Sequence, residues 1–168
     1  MSRASRAVGT RLRVEATPPY FIAGLTNVDT PDLAQEELED TTLDSDGGYR
    51  TYVPGFKDPG SAPLEGFYYA EPESGQRNLY DLYESGEAID FATIFPDHLQ
   101  TVWKYSGFIS AFKIGGMEVD GLIPFTATVR ISGKPQLLQG ADAAPYYIGG
   151  TSGTIAALAA KTPPRKDD

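Results

Sequence analysis

Apolar and polar residues alternate most cleanly near the C-terminal third of the chain. Phe125, Ala127, Val129 and Ile131 alternate with Thr126, Thr128, Arg130 and Ser132. A period of two places the first set on one face of a sheet and the second on the other. Upstream, Thr101–Ile114 (TVWKYSGFISAFKI) is a long β-branched and aromatic run that predicts a second strand, with Gly107 a candidate bulge. Strands of this length need partners on both edges. Weaker runs at residues 20–27, 37–43, 62–70 and 88–95 are the candidates. One segment, residues 73–86, has a helical period instead. Leu79, Leu82 and Tyr83 form an i, i+3, i+4 stripe, Ser74 is a candidate cap and Gly86 a stop. So short a helix must pack on the sheet to persist. Residues 95–99 and 114–121 read as turns, His98 being a turn residue.

Three stretches lack a period. Residues 1–17 are poor in apolar groups and read as an arm, in which Leu12 to Val14 makes a strand only if a partner pairs with it. Residues 139–168 read as a second arm, with Tyr146 to Ile148 and Ile155 to Leu158 as anchors. Both arms are expected to order on assembly. The body is thus residues 18–138. Within it, residues 44–60 predict a long irregular loop, and such loops are usually functional or disordered. Tyr49, Tyr52, Val53 and Phe56 in it call for burial. Either the loop folds back on itself as an Ω-loop or these side chains meet another subunit.

Length and composition add limits. The 168 residues fit one domain with its own core. The chain has no Cys and a single His, so disulfide frameworks, thiolate metal sites and two-histidine mechanisms are excluded. The N-terminus lacks the apolar stretch of a signal peptide and no segment is long and apolar enough to span a bilayer. A cytosol-like compartment, without membrane association, is therefore expected until assembly. Net charge is −9, and its placement matters more than its size. Residues 1–14 carry four Arg and no acid, whereas residues 15–160 carry 7 Lys/Arg against 21 Asp/Glu. A body this acidic repels nucleic acid, which carries about one negative charge per ~1.7 Å of duplex axis. The acids are spread along the chain without a nucleophile motif, so neither catalysis nor a cofactor is expected.

Six segments carry a resemblance. They are IAGLTNVD at residues 22–29, TTLDS at 41–45, VPGFKDPG at 53–60, FPD at 95–97, YSGFI at 105–109 and VRISGKP at 129–135. In this order over residues 20–137 the chain resembles the tail tube (major tail) proteins of long-tailed bacteriophages. The resemblance implies a mainly β subunit: two antiparallel sheets forming a sandwich or open barrel, with one flanking helix and extended arms. It implies a structural virion protein, assembled in the host cytoplasm as hexameric rings that stack into a hollow tail tube. The implied partners are further copies of the chain, the tape-measure protein and the tail terminator and tip proteins, with genomic DNA passing through unbound.

The resemblance also implies site residues. Leu43, Asp44, Tyr49, Tyr52, Val53, Pro54, Phe56 and Lys57 would lie between subunits or rings. Glu65, Asp90, Lys104, Ser106, Thr126, Thr128 and Arg130 would line the bore. Because Lys104 and Arg130 are basic, acids are expected to outnumber them on that face, with Glu65 and Asp90 pairing across strands. A carbohydrate-binding β-sandwich, with Trp103 and the tyrosines stacking on sugars, is the alternative from another class. The inner tube of a contractile tail is the alternative within the same class.

Overall fold

The computed structural model describes residues 6–42 and 46–148. Ten strands and two helices account for most of them: β1 Arg11–Val14, β2 Tyr20–Phe21, β3 Leu25–Val28, β4 Ala34–Glu39, β5 Tyr52–Asp58 and β6 Ser61–Phe67; then α1 Gln76–Ser85, β7 Ile89–Ile94, β8 Thr101–Ile114, β9 Pro124–Ile131, β10 Gln136–Gln139 and α2 Ala144–Ile148. The fold is mainly β and its sheets are antiparallel, as the alternation predicts. Eight strands form one sheet in the order β2-β1-β7-β8-β9-β6-β3, with β10 also pairing β8. A separate two-stranded hairpin joins β4 to β5.

The long strand β8 is the spine. Its first half, Thr101 to Gly107, pairs with β7 on one side and with β10 on the other. Its second half, Gly107 to Ile114, pairs with β9. The sheet therefore has two limbs, and they fold over a shared core. Leu12, Val14 and Phe91 come from the first limb, and Leu64, Phe125 and Val129 from the second. All six are essentially inaccessible to solvent. The Phe91 and Tyr105 rings stack at 6.0 Å inside this core.

The topology shows how tightly the sheet curls. Strands β2 and β3 lie at its opposite edges, yet only residues 22–24 separate them in the chain. An extended link of this length spans no more than about 15 Å. The sheet does not close, because the link runs across the seam. It is hydrogen-bonded from residue to residue: Ile22 N donates to the Leu12 carbonyl, Ala23 N to Ser74, and the Gly24 carbonyl accepts from Phe67 N. Gly24 has φ +76°, and a Cβ there would collide with the Tyr69 ring. That single conformational demand splits the strand expected at residues 20–27 into two.

Helix α1 lies at the seam, and Gln76 secures it. Its side-chain amide donates to the carbonyls of Ala23 and Phe67 and accepts from Tyr69 N, each at 2.9 Å. Leu79 enters the core and Tyr80 packs edge-on against Phe112 at 5.8 Å. Tyr83, expected in the apolar stripe, is exposed, and Tyr80 makes the ring contact instead. Gly75 occupies the N-cap position, so Ser74 precedes the cap, while Gly86 stops the helix in the left-handed conformation as expected.

The termini depart from the sequence reading. Strand β1 was expected to need a partner from elsewhere, but it pairs with β7 and β2 of the same chain. Leu12 and Val14 point into the core, so this part of the arm belongs to the subunit. At the other end, residues 140–148 pack over the outward face of the first limb. Ala92, Ile94, Val102 and Ala143 form a second small core with Phe21, Leu138, Tyr146 and Tyr147 against it. The Tyr147 hydroxyl accepts from Thr101 N and lies 2.9 and 2.8 Å from the carbonyls of Phe95 and Thr101. The expected anchor at Tyr146 and Tyr147 is thus present, while Ile155 to Leu158 lie outside the described residues.

Candidate assembly surfaces

The irregular loop expected at residues 44–60 is, over its described part, a turn at Asp46–Gly48 followed by a strand. Tyr52–Asp58 is strand β5, paired antiparallel with β4. The expected strand at 37–43 shifts to Ala34–Glu39. Periodicity failed here for a physical reason. A two-stranded ribbon with solvent on both faces has no buried side to enforce alternation. A register shift at Glu36 and the Pro54–Gly55 pair blur what remains. Tyr49 is 80% exposed, Tyr52 54%, Val53 43% and Phe56 89%, so the subunit itself leaves them uncovered. Pro54 lies on β5 opposite Glu37, and Lys57 opposite Gln35. Leu43 and Asp44 lie outside the described residues.

The hairpin is tied to the body at its base. Both carboxylate oxygens of Asp58 accept from one Arg130 nitrogen at 3.0 Å. Asp58 also accepts the Gly60 N–H at 2.9 Å. The Gly60 N–H and then Arg130 hold the Asp58 carboxyl below its ordinary range. Arg130, read as a polar-face residue of β9, is therefore also the clamp that attaches the exposed ribbon to the curled sheet.

The seven residues expected to line a bore all point away from the core, but they divide between the limbs. Asp90, Lys104 and Ser106 belong to the first limb, where Asp90 and Lys104 form an ion pair at 3.6 Å. Glu65, Thr126, Thr128 and Arg130 belong to the second. The sandwich turns these two groups in different directions. Residues 140–148 cover part of the first outward face, near Lys104, Leu138 and Tyr146. The second is met at its edge by the hairpin base, through Asp58 on Arg130, and by residues 29–32 beside Ser61 and Pro63.

The bulge lies at Ser110, and not at Gly107. Gly107 serves close approach: a Cβ there would meet the Arg130 carbonyl. Because Ser110 is an extra residue in β8, Phe112 turns inward and Lys113 pairs with Thr126 on the outward face. Parity counted from Ile109 would have hidden Lys113, so sequence reasoning missed it. The second limb's outward face presents Glu65, Lys113 and Arg130, with Asp58 paired to Arg130 and Asp29 and Asp32 beside Ser61 and Pro63 at its edge.

The chain is thus an open, curled sheet with a flanking helix and an uncovered hairpin. Among the described residues no cluster of His, Asp or Glu is arranged for a metal ion. The sequence pattern of the Lambda phage tail tube protein, TTP, matches residues 17–138, and the chain belongs to that family. No curated protein sequence matches. A subunit from the tail of an empty gene transfer agent particle, determined by helical refinement with C6 symmetry, superposes with a TM-score of 0.64. It is 19% identical, and the match covers 80% of this chain and 99% of that one. The SPP1 tail tube superposes at 0.59 with 14% identity, covering 86% of both chains. A chain of the anti-feeding prophage baseplate gives 0.66 with 12% identity, covering 83% and 98%. The protein is a structural tail tube protein, a component of a phage-like particle's tail.

Proposed function

We propose that this chain builds six-membered rings that stack into a hollow tube, with the β4–β5 hairpin as the contact between rings. The observation that carries the reading is the hairpin: four large apolar side chains stand uncovered on a ribbon that the subunit holds out by an ion pair. Full burial of a large apolar side chain is worth roughly 1.5–3 kcal/mol. Repeated around a ring, this suffices to drive stacking after ordering costs. The open strand edges β2 and β3 are the complementary feature, since lateral pairing between copies would satisfy them. C6 symmetry in the gene transfer agent tail supports the ring size.

The bore wall in this reading is the outward face of the second limb, opposite the helix and free of the C-terminal cover. Per subunit it offers Thr126, Thr128 and Ser110, one carboxylate at Glu65, Arg130 paired with Asp58, and the exposed Lys113. Hydroxyls and paired charges give passing DNA little to hold. Asp90, Lys104 and Ser106 then leave the list of bore residues. The tape-measure protein would occupy the bore before the genome, terminator and tip proteins would cap its ends, and no catalytic step is involved. Assembly would take place in the host cytoplasm. Similarity to chains of contractile injection systems favours a second reading, an inner tube beneath a sheath. A sheath gene beside this one would select it.

The decisive experiment replaces Tyr52 and Phe56 with Ser. Both side chains are solvent-exposed, so the subunit should keep its circular dichroism spectrum and solubility. It should fail to elongate in sedimentation and negative-stain microscopy, where the unaltered chain makes tubes. Long tubes from the double variant would remove the hairpin from the stacking contact.

A further inference from the structure

The hairpin needs a receiving surface, and the fold offers one. A cleft of about 700 Å³ lies between the hairpin's own base and the β8–β10 end of the body. Leu33, Pro59, Trp103, Pro135 and Leu137 give it an apolar lining. Trp103 is the only tryptophan in the chain and is half-buried; Leu137, its β10 neighbour, is 48% exposed. Lys57 and Lys134 stand at the rim, while the acid there, Asp58, is already engaged by Arg130. The cleft is thus apolar within and positive at its mouth.

The far end of the hairpin has the opposite character. Between residues 36 and 50 the sequence carries six acids and one base, Arg50, which pairs with Glu39 at 3.6 Å. The turn at Asp46–Gly48 leads into Tyr49, which is 80% exposed. Strand β5 alone, from Tyr52 to Asp58, separates tip from base by on the order of 20 Å at ~3.3 Å per residue. The tip of a given chain therefore cannot reach its own cleft.

We propose that the cleft receives the acidic, tyrosine-bearing hairpin tip of a second copy of this chain in the neighbouring ring. The inference rests on the stacking reading above and adds the receiving residues. Tip and cleft are different surfaces of one subunit, so their contact is head-to-tail and leaves a free tip and a free cleft at the ends of every stack. Such contacts propagate without closing. Charge complementarity between tip and rim fixes which end of the subunit meets which.

Trp103 reports on this directly. On polymerisation its emission should shift to the blue and its quenching by iodide should fall severalfold. Lys134→Glu, on an exposed side chain, should keep the circular dichroism spectrum of the subunit and lower tube yield at least tenfold. Adding Asp40→Lys to that variant should restore the yield. Because the chain has no Cys, Tyr49→Cys with Leu137→Cys should give a covalent ladder in tubes treated with a short bismaleimide, whereas Ser85→Cys with Leu137→Cys should not. Unaltered tubes with unchanged Trp103 emission, Lys134→Glu tubes at full yield, or equal ladders from both cysteine pairs would each overturn this contact alone. Unaltered protein that never forms tubes would overturn the stacking reading, and this contact with it.

Discussion

Single residues decide how the core tolerates polarity. Thr93 and Tyr105 are both buried, and their hydroxyls meet at 3.1 Å across paired strands β7 and β8. Removing one leaves the other without a partner, which typically costs about 1–3 kcal/mol. Tyr105→Phe should therefore lower unfolding stability in urea by about that amount, and adding Thr93→Val should recover part of it. Burial also pushes the Tyr105 hydroxyl up to about 12. Its unfolded value is about 10, so stability from this group is complete below pH ~10 and is lost as pH rises towards 12. Alkaline unfolding should shift in the Phe variant. Asp58 has the opposite sign. Its carboxyl is held low, so its tie to Gly60 and Arg130 persists above the ordinary carboxylate range and loosens as pH falls through the depressed value. Amide exchange in β4 and β5 should rise selectively there, and in Asp58→Asn already at neutral pH.

At the scale of elements, the seam depends on one side chain. Gln76→Ala would leave the carbonyls of Ala23 and Phe67 and the Tyr69 N–H without their partner. It should destabilise the subunit by about 2–4 kcal/mol, beyond an ordinary point change, as read by chemical denaturation. No periodicity argument could have found it, because a glutamine at a helix start looks like surface. The strands that were legible carry two kinds of signal. Phe125 to Ile131 has a buried and a solvated side, so burial writes the alternation into the sequence, whereas Thr101 to Gly107, buried at Val102 on one face and Tyr105 on the other, was legible from its β-branched and aromatic residues. Where water meets both faces the reading failed, as in Tyr52–Asp58. Where a bulge resets parity, as at Ser110, it was half right: the strand was found and Lys113 was missed. The buried Leu12 and Val14 were legible only as a conditional strand, because four residues carry too little pattern to announce a partner roughly eighty residues away in the sequence.

At the scale of the whole molecule, the sign of the charge is clear from composition while its distribution is not. Acids crowd the hairpin strand β4 and the turn after it, while the second limb's outward face mixes Glu65 with Lys113 and the paired Arg130. DNA indifference should then rest on repulsion at long range and on hydroxyls and paired charges at contact. A mobility-shift assay with duplex DNA and assembled tubes should show no binding at physiological salt. Lowering the salt should add little, because Arg130 is already held by Asp58 and Lys113 is the cation left on this face to meet phosphates. Sub-micromolar affinity would contradict such a wall.

The link at residues 22–24 also sets a schedule. It ties the two edges of the sheet to neighbouring positions near the start of the chain, while the strands that join them to the body, β7 for the β1–β2 pair and β6 for β3, come later. Strand β1 leaves the ribosome first but waits for Ile89–Ile94, and β3 waits for Ser61–Phe67. Non-local pairing of this kind makes folding slow, in the range of milliseconds to seconds. It also means that the two edges are not both anchored on the body until more than half of the subunit has been synthesised. A nascent chain on a polysome, crowded by identical neighbours, therefore offers them no anchored pair of edges before that point, and polymerisation is deferred until after it.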